Sequence, residues 1–269
     1  MPELPEVEVV RQQLKQIVLN KKINKIDIFW PAIINSDINE FKTILLNNKI
    51  IDIERYGKYL VFILNDNHVL ISHLRMEGKY HLRNNTDKIN KHEHVIFYFD
   101  NDNLRYHDTR KFGRMEIRTK DNYLKVPPLS NLGNEPKNMA SNELYEKIKN
   151  KRVSIKVALL DQSIIAGLGN IYVDETLFMS KIHPERKCNE ITKEEANTIT
   201  NNAVKVLDKA LKLGGTTIRS FSATDIHGRF QNHLLVHTKE NEKCPVCQTL
   251  IKKIKVGGRG TYFCEQCQK

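Results

Sequence analysis

No apolar stretch of this 269-residue chain is long enough to cross a membrane; runs such as Tyr59–Leu64 fall far short of the roughly 20 residues a bilayer requires. Nor does its start read as a secretory leader. Met1-Pro2-Glu3-Leu4-Pro5-Glu6 is acidic and broken by prolines, where a signal peptide needs a basic segment and then an apolar one. The expectation is an intracellular, cytoplasmic protein whose five cysteines stay reduced unless a metal holds them. Repeats of fixed period and low-complexity tracts are absent too, which excludes solenoids and propellers. Negative charge is also scarce. Thirty-two Asp and Glu face 43 Lys and Arg, a formal net charge of +11, and such a surplus favours a polyanionic partner, nucleic acid or an acidic membrane surface. The remaining composition, 40% hydrophobic and 28% charged, is that of a soluble globular protein with room for two modest domains or one large one.

What is present falls into three regions. Glu6–Val18 places Val7, Val10, Leu14, Ile17 and Val18 on one helical stripe, with Pro5 tolerable only near the helix start. From about Ile50 to Arg118 the pattern is that of strands: Val95, Phe97 and Phe99 alternate with Ile96 and Tyr98, and turns are expected at Asn65-Asp66-Asn67 and Asp100–Asn103. Pro127-Pro128 closes this part. From about Asn131 to Leu213 the spacing is helical. Thr192-Lys193-Glu194-Glu195 predicts a capping box, and Gly214-Gly215 a helix end. Phe221–Phe230 is polar, without a period, and is expected to be a loop.

The C-terminal region carries the most specific motif. Cys244-Pro245-Val246-Cys247 and Cys264-Glu265-Gln266-Cys267 are two CxxC knuckles separated by sixteen residues, a spacing at which four thiolates close tetrahedrally on one zinc ion. Four sulfur ligands leave no open position for water, so the zinc is structural and speaks to fold rather than chemistry. Cys188 stands outside this set. Seven basic residues against three acidic ones between Gln231 and Lys269 make the module positive, and Gly257-Gly258-Arg259-Gly260 suggests a hairpin tip carrying one guanidinium.

The N-terminus carries a different chemistry. Removal of Met1 would leave Pro2 as a free secondary amine with a pKa of about 8, partly uncharged at neutral pH. Such an amine attacking an aldehydic carbon can give only a cationic iminium, a strong electron sink, and Glu3 beside it can act as an acid. On residue type alone, the same segment also reads as a proline-rich lead-in to a helix.

The octet Met1–Glu8 and the Cys-x2-Cys-x16-Cys-x2-Cys pattern together resemble the formamidopyrimidine-DNA glycosylase family. The resemblance covers the whole chain. It runs through Tyr56–Leu60, His73–Gly78, Asp108–Gly113, Gly167–Tyr172, Gly214–Thr217 and Arg259–Cys264, in that order. It implies an α+β multidomain fold: an N-terminal β-sandwich with a leading helix (1–130), a helical helix–two-turn–helix DNA-binding domain (131–230) and a C-terminal four-cysteine zinc ribbon (231–269). It also implies a bifunctional glycosylase and AP lyase of base excision repair. Its expected partner is double-stranded DNA containing oxidised purines, with no membrane; it is expected to act as a monomer in the bacterial cytoplasm, nucleoid-associated when on DNA.

Carried over residue by residue, the resemblance makes Pro2 the nucleophile and Glu3 the acid at the sugar ring oxygen. It makes Lys58 a proton donor and phosphate holder, and Arg259 the clamp that promotes the final elimination. His73, His92, Lys151 and Asn170 align with DNA contacts, while Glu6 and Glu175 align with carboxylates that position the site. Met76, Arg110 and Phe112 resemble a void-filling triad. Chemistry on a stacked nucleotide requires flipping it out, and a Phe wedge, a flexible Met and an Arg facing the orphaned base can hold the gap. On composition alone Met76 and Phe112 read as core. Cys244, Cys247, Cys264 and Cys267 are the zinc ligands. Two departures from relatives stand at Arg75, where some carry glycine, and Lys111, where some carry arginine; the Phe221–Phe230 segment also matches them poorly. The alternatives are an endonuclease VIII-like enzyme for oxidised pyrimidines, against which Leu4 argues, and a non-catalytic zinc-ribbon DNA-binding protein.

Overall fold

Strand alternation from Ile50 onward produces the larger part of the first of two units. The computed structural model describes residues 1–216 and 228–269. Unit 1 comprises Met1–Ser130 with the described ends of Thr216–Gly228; unit 2 comprises Asn131–Gly215 and Arg229–Lys269.

Unit 1 begins with helix α1 (Leu4–Val18), which starts two residues before the expected Glu6 because a proline in the first turn forfeits no hydrogen bond. Then follow β1 (Lys25–Ile28), α2 (Ile38–Leu45), β2 (Ile50–Tyr56), β3 (Tyr59–Leu64), β4 (His68–His73), β5 (Lys79–Asn84), β6 (Glu93–Tyr98), β7 (Asp102–His107) and β8 (Arg114–Thr119). They pair antiparallel into two four-stranded sheets, β1-β6-β7-β5 and β2-β3-β4-β8. Leu60, Phe62 and Leu64 of β3, Val95 and Phe97 of β6, and Leu104 and Tyr106 of β7 join the α1 stripe in one buried core. Each such side chain contributes about 1.5–3 kcal/mol by leaving water. This is the β-sandwich with a leading helix.

Unit 2 holds α3 (Glu143–Ile148), α4 (Ile155–Leu160), α5 (Asn170–Met179), α6 (Lys193–Lys212), β9 (Lys252–Val256) and β10 (Arg259–Phe263). Its α-helical part starts at Glu143, later than the pattern from Asn131 suggested: a helix from Asn131 cannot run through Pro136, which lacks a backbone donor, and short 3₁₀ turns at Leu129–Asn131 and Pro136–Asn138 stand there instead. The α6 capping box forms as expected: Glu195 N–H donates to Thr192 Oγ1 at 3.2 Å, and Thr192 N–H donates to Glu195 Oε2 at 2.9 Å. Gly215 N–H closes the helix end on the Ala210 carbonyl. β9 and β10 form a hairpin whose two-residue tip, Gly257-Gly258, takes φ of 54° and 77°, which only glycine adopts without strain. Of the segment expected to be a loop, residues 221–227 lie outside the described residues; Phe230 is buried at the start of a short 3₁₀ turn. No helix among the described residues is long and apolar enough to cross a membrane.

Candidate functional site

The first turn of α1 buries its own polar groups. Glu6 Oε2 accepts the Glu3 N–H at 2.9 Å, while Oε1 accepts the N–H and hydroxyl of Thr216 at 2.9 and 3.0 Å. The carboxylate thereby fixes the backbone that carries Pro2 and Glu3, both buried. Burial above all holds the chain's terminal amine below its ordinary pKa of 8.0; Lys58 adds to that effect, and Glu3 and Glu6 oppose it. In the structure this amine belongs to Met1, one residue ahead of Pro2.

Lys58 occupies the two-residue turn between β2 and β3 and is only 4% exposed. A lysine read from sequence would be solvated; here the turn drives it inward, toward the amine and His73, both of which feel its charge. His73 ends β4 opposite Tyr59, ring centroids 4.4 Å apart. Its Nδ1 accepts the Arg75 N–H at 2.9 Å, so the remaining proton sits on Nε2, ready to donate. Burial first, then the charges of Arg75 and Lys58, press its pKa down to about 3, and the ring is neutral at physiological pH. Arg75 has φ of 53°, in the left-handed region that favours glycine.

The β7–β8 turn presents Arg110 and Phe112. Asp108, fully buried, accepts the backbone N–H groups of Arg110, Phe112 and Gly113 at 3.0, 2.9 and 2.9 Å. Gly113 is obligatory, since a Cβ there would lie 1.7 Å from the Tyr106 hydroxyl oxygen. Thus caged, the turn leaves Phe112 46% exposed and Arg110 exposed, its guanidinium 4.8 Å from the Phe112 ring centroid. Lys111 between them has φ of 58° and sets its ammonium 3.7 Å from the centroid of Trp30. Met76 lies half-buried in the β4–β5 turn, so neither it nor Phe112 belongs to the core. His92, half-buried just before β6, meets the His107 ring at 5.7 Å, and its carbonyl accepts the Asp108 N–H.

In unit 2, Lys151 is exposed just beyond α3. Asn170 is the first residue of α5, and its Nδ2 donates to the Gly260 carbonyl at 2.9 Å, next to Arg259. Arg259 opens β10 and is exposed. Glu175, buried in α5, accepts the N–H groups of Leu235, Val236 and His237 at 2.7, 3.0 and 2.9 Å. It therefore anchors the chain leading into the ribbon.

The four module cysteines converge, with all four Sγ atoms within 4.8 Å of one another. Cys244–Cys267 at 3.9 Å and Cys247–Cys264 at 3.4 Å are too long for disulfides. They match the ~3.8 Å between sulfurs that tetrahedral zinc with ~2.3 Å bonds imposes. The donor set therefore fits one structural zinc. Cys188 is buried elsewhere, its thiol pushed up to about 11 by burial.

Sequence reading singled out the exposed Arg110 and Phe112 but not the carboxylate beneath them. Asp108 opens the Asp108–Gly113 motif, and its only sequence signal is that of an Asp ahead of a turn. Lys156 and Asp174, buried partners in unit 2, gave no signal at all.

Comparison with known proteins agrees along the full chain. Residues 1–115 match the formamidopyrimidine-DNA glycosylase N-terminal domain, 132–222 that family's H2TH domain, and 241–269 a zinc finger found in FPG and IleRS. The formamidopyrimidine-DNA glycosylase of Mycoplasma mobile is 49% identical over all of this chain and 99% of its own length; that of Oceanobacillus iheyensis is 48% identical over all of this chain and 98% of its own. A Lactococcus lactis mutant enzyme in complex with Fapy-dG-containing DNA superposes with a TM-score of 0.95 at 41% identity, and that organism's enzyme with abasic-site DNA does so equally, each covering both chains completely. The chain belongs to the formamidopyrimidine-DNA glycosylase family, DNA glycosylases with AP lyase activity that act on oxidised purines in base excision repair.

Proposed function

We propose that the chain excises 8-oxoguanine and formamidopyrimidines from double-stranded DNA through an iminium on Pro2 and then opens the strand by two eliminations. The carrying observation is the burial of Pro2, Glu3 and Lys58 around a terminal amine whose pKa burial has lowered. That amine leaves with Met1; the buried Pro2 nitrogen then becomes the terminus, a secondary amine whose ordinary pKa of about 8 leaves part of it uncharged near neutral pH. It forms a bond to C1′ of the sugar as the bond to the damaged base breaks, and the base leaves with a proton. Glu3 protonates the ring oxygen, the ring opens, and C1′ becomes a cationic iminium. That charge acidifies the C2′ hydrogen; its loss expels the 3′ phosphate. Loss of a C4′ proton then expels the 5′ phosphate, and water releases Pro2.

Lys58, the neutral His73, Lys151, Asn170 and Arg259 contact phosphates in this reading, and His92 contributes a further DNA contact. Met76 and Phe112 fill the gap left by the flipped nucleotide, and Arg110 donates to the orphaned base, where the O2 and N3 acceptors of cytosine suit a guanidinium. We assign residues 1–130 to catalysis, 131–230 to DNA binding and 231–269 to the ribbon, in a monomer working in the bacterial cytoplasm. The test is strand nicking on a panel of 8-oxoguanine:C, formamidopyrimidine:C and thymine glycol duplexes. Faster cleavage of the two purine lesions is expected; preference for thymine glycol would replace the purine assignment with the pyrimidine one.

A further inference from the structure

Among the described residues, β10 pairs with β9 on one side only. Gly260 and Tyr262 are alternate residues of the strand, and groups at such positions face the same edge. An open edge is a row of unsatisfied polar groups, yet here α4 and α5 cover it with side chains. The Gly260 carbonyl accepts from Asn170 Nδ2 at 2.9 Å and from Lys156 Nζ at 3.3 Å; the Tyr262 N–H donates to Asp174 Oδ2 at 3.3 Å. Lys156 and Asp174 are completely buried and pair at 2.6 Å through Oδ1. The Asp174 Oδ2 atom also meets His237 Nδ1 at 2.7 Å, and the His237 ring lies 5.0 Å from that of Tyr262.

One carboxylate thus binds α4, the lead-in to the ribbon and β10 together. The zinc ligand Cys264 follows directly on β10 and holds one end of that strand. The other end, where Arg259 stands, depends on the Lys156–Asp174–Asn170 set. Stability alone does not explain such a pair, because apolar replacements of buried ion pairs are often neutral. Direction does: a charged pair aimed at single backbone atoms fixes where a strand lies.

We infer that Asp174, acting with Lys156, is a positioning residue for strand cleavage: it sets β10 against α5 so that Arg259 points at the phosphate that leaves last. This rests on the role of Arg259 proposed above. The test compares R259A, D174N and the apolar double variant K156M/D174L in three measurements. These are single-turnover base release from an 8-oxoguanine:C duplex, the ratio of δ- to β-elimination products on a preformed abasic site, and zinc content. In D174N and the double variant, base release should stay within about threefold of the parent while the δ:β ratio falls about tenfold, as in R259A, with one zinc retained. An unchanged ratio in both Asp174 variants, with a lowered one in R259A, would overturn the inference. So would a parallel fall of base release and elimination together with zinc loss, the mark of a purely structural role. If R259A itself leaves the ratio unchanged, the Arg259 assignment fails, and this inference with it. Should D174N not fold, the double variant decides.

Discussion

Two buried aspartates each hold a stretch of backbone that presents an arginine, and they do it over different reaches of chain. Asp108 cages its own turn, taking backbone N–H groups two, four and five residues ahead to display Arg110 and Phe112. Asp174 binds a strand 88 residues away, beside Arg259, and that strand exists only within the zinc-closed ribbon. The first device forms with its turn; the second requires distant elements to fold and a metal to bind. Arg110 should therefore survive insults that disable Arg259.

The largest test of that contrast is loss of the metal. Structural zinc supplies on the order of 10 kcal/mol to the folding of a small four-ligand module. Cys247→Ser should unfold the ribbon, displace Arg259 and abolish tight binding to damaged DNA. The single tryptophan, Trp30, lies under Lys111 beside the Arg110 turn, so its fluorescence should stay native. A shifted Trp30 emission in the zinc-free variant would erase the contrast, and full affinity without zinc would refute the structural role of the metal.

The reverse insult is next in size. Asp108→Ala strips the acceptors from three N–H groups and should cost about 3–5 kcal/mol in thermal or denaturant unfolding. It should also narrow the preference for lesions opposite cytosine over adenine while leaving zinc content unchanged. Arg110→Ala, at an exposed side chain, should narrow the same preference with little loss of stability. Preference that survives both substitutions would remove the turn from base reading.

A third effect belongs to His73. Its folded pKa of about 3 lies below the ordinary 6.5, so the unfolded chain takes up the proton first. This contribution to stability is complete above about pH 6.5 and is lost as pH falls toward 3, with a slope approaching 1.4 kcal/mol per pH unit. Urea unfolding across that window should show a shallower slope in His73→Asn; identical slopes would mean the ring is not buried neutral. The smallest effect is expected at exposed Lys151. Lys151→Ala should leave stability unaltered and weaken damaged and undamaged duplex alike, flattening the salt dependence of binding by about one unit. An unaltered salt slope would take Lys151 off the DNA.

The same difference in reach explains what could be read from residues. The α1 stripe, the strand alternation, the Thr192 capping box and the cysteine knuckles are short-range patterns, and each is present in the structure. The resemblance then supplied roles for Pro2, Glu3, Lys58 and Arg259 that spacing alone did not. Invisible in sequence were burial and long-range pairing. Lys58 is a surface-type residue driven inward by a two-residue turn, and Glu6 reaches Thr216 across most of the chain. Lys156 and Asp174 are charges in helices with no periodicity to mark them as partners of a distant strand. Such contacts are fixed by topology, which no local window contains.

Covalent trapping tests the central claim most directly. Borohydride added during reaction with an 8-oxoguanine:C duplex should reduce the iminium and leave DNA bonded to the enzyme. Peptide mapping by mass spectrometry should place that DNA on Pro2 of chains lacking Met1, while chains that retain Met1 bind the duplex but neither excise nor trap. An adduct on Lys58 or another lysine, formed with Met1 still attached, would contradict the account.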